Sequence, residues 1–160
     1  TMRIGQGFDV HKFSDEGKFV ILGGVKIQHS SGLLGHSDAD VLTHAVMDSL
    51  VGALALGDIG DHFPDTDSQY RGADSLVLLK KVWEMIQQRG YRVNNLDSVL
   101  IAQRPRLKPY LETMRTNLAS CMDCGIELVS VKATTTEKLG FAGREEGIAA
   151  KSLVLLKKFE

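Results

Sequence analysis

Gly7-Phe8-Asp9-Val10-His11 is the stretch whose reading decides how this 160-residue chain folds. As a strand it points successive side chains to opposite faces, so Asp9 and His11 project from one side and Phe8 and Val10 from the other. A carboxylate oxygen and an imidazole nitrogen held side by side suit a divalent metal such as zinc, which needs at least one more nitrogen, oxygen or sulfur donor. An ordinary Asp-His hydrogen bond at a strand end is the alternative, and an Asp-x-His pair alone does not separate the two.

Downstream, residues 18–22 and 25–27 flank Gly23-Gly24, the chemistry of a two-residue hairpin turn. The segment from Gly32 to Asp40 is a flexible approach in which Ser37 or Asp38 is expected to cap the next helix. Over residues 39–56, Val41, Leu42, Ala45, Val46, Leu50, Ala53 and Leu54 recur at helical spacing and predict one core-facing helix. Asp40, His44 and Asp48 follow at i, i+4 along another stripe of it. His44 is therefore the candidate third ligand, against the plainer reading of a polar residue at the edge of a buried face. Asp40 and Asp48 are expected to orient neighbours or cap the helix.

The run Gly57-Asp58-Ile59-Gly60-Asp61-His62-Phe63-Pro64-Asp65-Thr66-Asp67 is rich in turn formers and acids and lacks the spacing of an EF-hand loop. Such a loop repels phosphate, but it accepts hydrogen bonds from substrate hydroxyls or helps hold a cation that carries phosphate; a solvated turn fits the composition equally well. Residues 72–89 predict a second helix with Leu76, Leu79, Val82, Trp83 and Ile86 as its stripe, a structural element stopped by Gly90. A strand over 96–102 runs into Gln103-Arg104-Pro105-Arg106-Leu107-Lys108-Pro109, a basic loop whose backbone can read a base edge while its cations face phosphate, or a solvated charge cluster. Pro109 opens a third helix that Gly125 ends, and 128–133 predict a strand. In the turn that follows, the hydroxyls of Thr134, Thr135 and Thr136 gather with Lys132, Lys138 and Arg144 as donors for phosphate oxygens. Glu137 sits among them as the single carboxylate that a magnesium or manganese ion needs when phosphate supplies its other ligands. A last strand over 148–156 completes the sheet.

The order strand, hairpin, helix, helix, strand, helix, strand, strand has no clean βαβ alternation, and no G-x-G-x-x-G is present, so a dinucleotide-binding fold is excluded. The expected class is α+β, a mixed β-sheet with helices packed on one face, in one domain over residues 1–160. Nineteen Lys and Arg against twenty Asp and Glu give a net charge of -1, which offers no electrostatic case for a nucleic-acid surface or a polybasic membrane anchor. No apolar run reaches bilayer length and the N-terminus goes straight into a strand pattern, so an unexported, soluble protein is expected. Cys121 and Cys124 form a C-x-x-C near a helix end, where bystander thiols are expected rather than a redox pair.

Assembled in order, these motifs resemble the 2-C-methyl-D-erythritol 2,4-cyclodiphosphate synthase family of the non-mevalonate isoprenoid pathway. The likeness runs through Arg3-Ile4-Gly5 and Gly7 to His11, His36-Ser37-Asp38 with Asp40 and His44, Leu56 to Gly60, Phe63 to Asp67, and Lys132 to Phe141. The resemblance implies a homotrimer with active sites between subunits. Asp9, His11 and His44 would form a zinc site completed by a substrate phosphate oxygen, and Glu137 would ligate magnesium or manganese on the diphosphate. It implies cyclisation of 4-diphosphocytidyl-2-C-methyl-D-erythritol 2-phosphate with loss of CMP, a lyase-type reaction. His36 and Thr135 are then the positions for transition-state stabilisation, with Ser37 nearby. Asp58, Ile59, Gly60, Phe63, Pro64, Asp65, Thr66 and Asp67 would hold the methylerythritol portion, and Ala102, Gln103, Arg104, Pro105, Arg106, Leu107 and Lys108 the cytidine. Lys132, Thr134, Thr136, Phe141 and Arg144 would line the phosphate side. The implied location is the cytoplasm of a bacterium, or the plastid stroma once a transit peptide is removed. Two positions depart from the family pattern: Gln6, where many relatives carry His, and Lys151, where some carry an acid near the trimer axis. The rival readings are a zinc-dependent phosphohydrolase, with water on the metal, and a nucleotide-binding or metal-storage trimer with structural zinc.

Overall fold

The computed structural model describes residues 1–159. Its main sheet has four strands in the order β1 (Met2–Lys12), β6 (Gly147–Lys158), β4 (Tyr91–Ile101), β5 (Val129–Thr134). The β1·β6 and β6·β4 pairs are antiparallel and β4·β5 is parallel, so the sheet is mixed, as expected. The parallel pair is joined through helix α4 (Leu111–Cys121), which makes one βαβ unit that the sequence reading did not anticipate. Its crossover is hidden in sequence because the Pro-rich basic loop separates β4 from the helix.

The glycines of β1 seat the central helix. Gly5 and Gly7 are buried on the same face as Asp9 and His11, and α1 (Val41–Ala53) lies directly across them. A Cβ on Gly5 would stand 1.9 Å from the Ser49 carbonyl oxygen, and one on Gly7 would stand 2.0 Å from that of Ala45. Backbone meets backbone there, and only a residue without a side chain permits it. On β6, Ala150, Ser152, Val154 and Leu156 complete this face, with Leu96 and Leu100 of β4 beside them, all buried. Helix α1 is buried nearly all round, because it is sandwiched between the sheet and α3 (Ser75–Gln88), which adds Leu78, Leu79, Val82, Trp83 and Ile86 to the core. The opposite face of the sheet is open and bears exposed apolar side chains, Ile4 at 65%, Phe8 at 55%, Val10 at 45% and Leu153 at 46%, with exposed Gln6 and Lys151 among them.

The hairpin forms as expected, β2 (Phe19–Leu22) with β3 (Val25–Gln28), both turn glycines having positive φ. Its anchor is Asp40. This buried carboxylate accepts the Gly23 and Gly24 amides at 2.8 Å each, and at the start of α1 the Thr43 amide at 3.0 Å and the Thr43 hydroxyl at 2.8 Å. Asp40, expected to orient neighbours or cap the helix, is therefore the cap of α1, and Ser37 and Asp38 are not. Two short elements were not foreseen, α2 (Ile59–His62) and a 3₁₀ turn at Ser68–Tyr70. Gly125 does not end α4, which stops at Cys121; it opens a 3₁₀ turn at Ile126–Leu128. Before β6 comes the short α5 (Gly140–Gly143). Among the described residues, no helix is long and apolar enough to cross a membrane.

Candidate metal centre

β1 supplies two donors and α1 the third. Asp9 and His11 stand opposite Ala150 and Ile148 of β6, and His44 projects from the first turn of α1. Asp9 Oδ2 lies 3.0 Å from His11 Nε2 and 3.0 Å from His44 Nδ1, and the two ring nitrogens are 3.4 Å apart. A tetrahedral ion with bonds of about 2.0–2.1 Å keeps its donors about 3.3 Å from one another, so this triangle has the size of one face of such a tetrahedron. Two nitrogens and an oxygen with the fourth direction facing a cleft are also the donor set of a zinc site that receives a ligand. The residues fit a zinc ion.

The electrostatics agree. Burial opposes the charge on Asp9, but the hydrogen bonds and positive charge of His11 and His44 outweigh it and hold the carboxyl down at about 2. Burial also opposes a charged His11, and Asp9 with the Leu34 carbonyl outweighs that, pushing the imidazole above its ordinary 6.5. His11 Nδ1 donates to the Leu34 carbonyl at 2.6 Å. A carbonyl only accepts, so Nδ1 holds a ring proton in either charge state, and Nε2, which gives Asp9 a hydrogen while the ring is charged, turns its lone pair to the triangle once that second proton is lost.

The triangle opens into a cleft of about 280 Å³ walled by His36, Ser37, Ile59, Gly60, Phe63 and Asp65, with Met47, Tyr70 and Leu78. His36 Nε2 lies 3.1 Å from the Asp67 carbonyl oxygen, which tethers its ring to the acidic segment. Of the eight residues expected on the methylerythritol side, Asp58, Pro64, Thr66 and Asp67 do not line the cleft. Asp58 is occupied by a reciprocal cap with Asp61 at α2, and Asp67 accepts the Gln69 amide. Asp48, its pKa raised by burial, accepts the Ile59 amide at 2.9 Å and ties this wall to α1.

A second depression, of about 300 Å³, is formed by Ala102, Gln103, Arg104, Pro105, Arg106, Leu107 and Lys108 with Ala133, Thr134 and Thr135. All seven residues expected around a cytidine lie here, and so does Thr135, apart from His36 within one chain. Glu137 is exposed on the adjoining turn, and the Lys138 amide donates to Gln103 Oε1 at 3.1 Å, fixing that turn to the basic loop. Thr136 donates to the Leu139 carbonyl at 2.6 Å. Two expected phosphate donors are paired with carboxylates instead, Lys132 with Asp97 at 2.5 Å and Arg144 with Glu146 at 2.8 Å, and neither lines these depressions. Phe141 stands beside Val10 and Lys12 in a separate hollow.

Met47, Tyr70 and Leu78 were missed by the sequence reading. Met47 carried a signal, three residues beyond His44 on one helix face; Tyr70 and Leu78 reach the cleft only through the packing of α3 and the turn before it. Both thiols are free, and burial together with Glu127 and Asp123 pushes Cys124 up to about 11, far from a reactive thiolate.

Fold and site together define an α+β protein with a metal-ready Asp-His-His triangle at the mouth of a cleft of mixed polar and apolar lining. The chain belongs to the YgbB family, whose model matches residues 2–157. It is 57% identical over 156 residues to the 2-C-methyl-D-erythritol 2,4-cyclodiphosphate synthase of Bacillus cereus, covering 98% of each chain. Among solved structures it is similar to the bifunctional IspDF of Campylobacter jejuni, with a TM-score of 0.95 and 44% identity, all of this chain matching 43% of that one. It is likewise similar to Plasmodium falciparum IspF in its CDP complex, with a TM-score of 0.86, 35% identity, and coverage of 99% and 97%.

Proposed function

We propose that the protein converts 4-diphosphocytidyl-2-C-methyl-D-erythritol 2-phosphate into 2-C-methyl-D-erythritol 2,4-cyclodiphosphate and CMP, as one synthase domain spanning residues 1–160. The observation that carries the reading is the Asp9, His11, His44 triangle with edges of 3.0, 3.0 and 3.4 Å, in a chain 57% identical to a synthase of that name. An oxygen of the 2-phosphate attacks the β-phosphorus, the bond from that phosphorus to the CMP oxygen breaks, and the bonding pair leaves on CMP. Both reacting groups are anionic, so the protein must hold them in line and neutralise the charge moving to the leaving group; no protein nucleophile is required.

Asp9, His11 and His44 would hold zinc, and Glu137 would hold magnesium or manganese with diphosphate oxygens as further ligands. Such ions supply Lewis-acid neutralisation and a template for the reacting phosphates. His36, tethered to the Asp67 carbonyl, and the Ser37 and Thr135 hydroxyls face the phosphates as donors. Asp65 with the Ile59-Gly60 segment accepts the methylerythritol hydroxyls, Ala102 to Lys108 enclose the cytidine, and Thr134, Thr136, Lys132, Phe141 and Arg144 complete the phosphate side. His36 and Thr135 sit in different depressions of one chain, which supports a site that joins them across a subunit boundary. The open face bearing Phe8, Val10 and Leu153 supports assembly as a homotrimer.

Purified protein with magnesium ion and the cytidine diphospho substrate is expected to release CMP and the cyclic diphosphate in equal amounts. CMP accompanied only by a linear bisphosphate carrying solvent oxygen-18 would identify a phosphohydrolase instead. His44→Ala is expected to fold and assemble while losing turnover at least about 100-fold; failure to assemble would point to structural zinc.

A further inference from the structure

His44 turns Nδ1 to the triangle and Nε2 to two hydroxyls, Ser75 Oγ at 2.9 Å and Ser37 Oγ at 3.0 Å. Ser75, wholly buried in the first turn of α3, is gripped at both of its hydrogen-bond donors by Asp38. Asp38 Oδ2 accepts the Ser75 amide at 2.9 Å and Oδ1 accepts its hydroxyl at 2.5 Å. A carboxylate only accepts, and a hydroxyl has one hydrogen to give. With that hydrogen committed to Asp38, Ser75 Oγ can meet His44 only as an acceptor and draws the ring proton to Nε2, against the Asp9 carboxylate, which accepts at Nδ1. With the proton on Nε2, Nδ1 turns its lone pair to the triangle, 3.0 Å from Asp9 Oδ2 and 3.4 Å from His11 Nε2, where a divalent ion would take the place of a hydrogen between them. With Nε2 protonated, the Ser37 hydroxyl accepts from the same N–H and keeps its own hydrogen for the cleft.

His11 takes its tautomer from a main-chain carbonyl, but His44 takes it from two side chains, one in the loop before α1 and one in α3. We propose that Asp38, acting through the Ser75 hydroxyl, is the positioning residue that fixes the Nε2–H tautomer of His44 and presents its Nδ1 to a divalent metal. Outer partners of this kind orient a ligand imidazole and raise its basicity, and their loss commonly weakens metal binding 10- to 100-fold. The metal half of the proposal rests on the zinc reading above; the tautomer half does not.

The test is made on the full chain stripped of metal with a chelator. Long-range nitrogen-15 NMR of histidine-labelled protein at pH 8 reads which His44 nitrogen is protonated, and competition with a chelator reads zinc affinity. Wild type is expected to hold the larger share of the proton on Nε2, against the pull of Asp9 on Nδ1. Ser75→Ala and Asp38→Asn are expected to shift that share toward Nδ1 and weaken zinc binding about 10- to 100-fold, and Ser75→Thr to restore both. The double variant is expected to be no weaker than Ser75→Ala, since the two residues act as one path. An unchanged tautomer in a folded Ser75→Ala chain, additive losses, or a tautomer that shifts only in Ser37→Ala would overturn the proposal. If a variant fails to fold, the wild-type spectrum still decides, because a larger share of the proton on Nδ1 of His44 contradicts it outright. Wild-type protein that shows Nε2–H but binds no zinc would overturn the metal reading and leave the tautomer assignment standing.

Discussion

A single methyl group tests the seat of α1. Gly7→Ala puts a Cβ 2.0 Å from the Ala45 carbonyl oxygen, where neither backbone can yield without moving Asp9 and His11 away from His44. The expected cost is about 3 kcal/mol, read by urea unfolding, with zinc affinity falling alongside. The pH dependence of the metal-free protein follows from the triangle. Asp9, held at about 2, contributes stability that is fully present above its ordinary 3.8 and is lost as pH falls toward 2. His11, raised above 6.5, contributes stability that is present below 6.5 and is lost as pH rises through its folded value. Stripped protein is therefore expected to gain most from the pair between about pH 4 and 6.5, and Asp9→Asn to flatten both limbs of a denaturation-against-pH curve. Two-residue alternation and helical i, i+4 spacing put Asp9, His11 and His44 within reach of the sequence. Gly5, Gly7, Asp38 and Ser75 were less legible, because what each does depends on a partner 37 or more residues away.

Asp40 shows how one element boundary is shared by two elements. Its four accepted hydrogen bonds join the hairpin turn to the first turn of α1, just ahead of His44. Asp40→Asn replaces an acceptor with a donor against buried donors, so an expected loss of about 3 kcal/mol follows, measurable by thermal unfolding. The sequence offers Ser37, Asp38 and Asp40 as caps, and local spacing cannot choose among them because the hairpin amides that also claim Asp40 lie 16 and 17 residues away. Element types were legible wherever periodicity was strong, but ends were not. β4 begins at Tyr91 rather than 96 because Asn94 and Asn95 weaken its alternation, and the ladder shifts register between Val93 and Asn95. Helix α3, read as purely structural, brings Ser75 to the back of His44.

At the scale of the whole molecule, the two faces of the main sheet have different tasks. One carries α1 and the metal triangle; the other leaves Ile4, Phe8, Val10 and Leu153 uncovered. With assembly through that face, Phe8→Glu is expected to give monomers in sedimentation velocity with turnover lost, while the metal-free far-ultraviolet spectrum stays unchanged. Turnover retained by a monomer would place the whole site within one chain. The mixed sheet was legible from the order of elements, and the open face from Phe8 and Val10 alternating with Asp9 and His11. The βαβ crossover was not, because parallel pairing depends on where α4 returns the chain.

The antiparallel register of the outer pair also sets where another polypeptide can be tethered. Met2 pairs with Lys157 while His11 pairs with Ile148, so both termini of the paired strands emerge at the end of the sheet remote from the metal triangle. Nine residues of strand separate them from it, roughly 30 Å. A domain fused at either end would ride on the molecule without shadowing the cleft, and two such domains would find themselves neighbours.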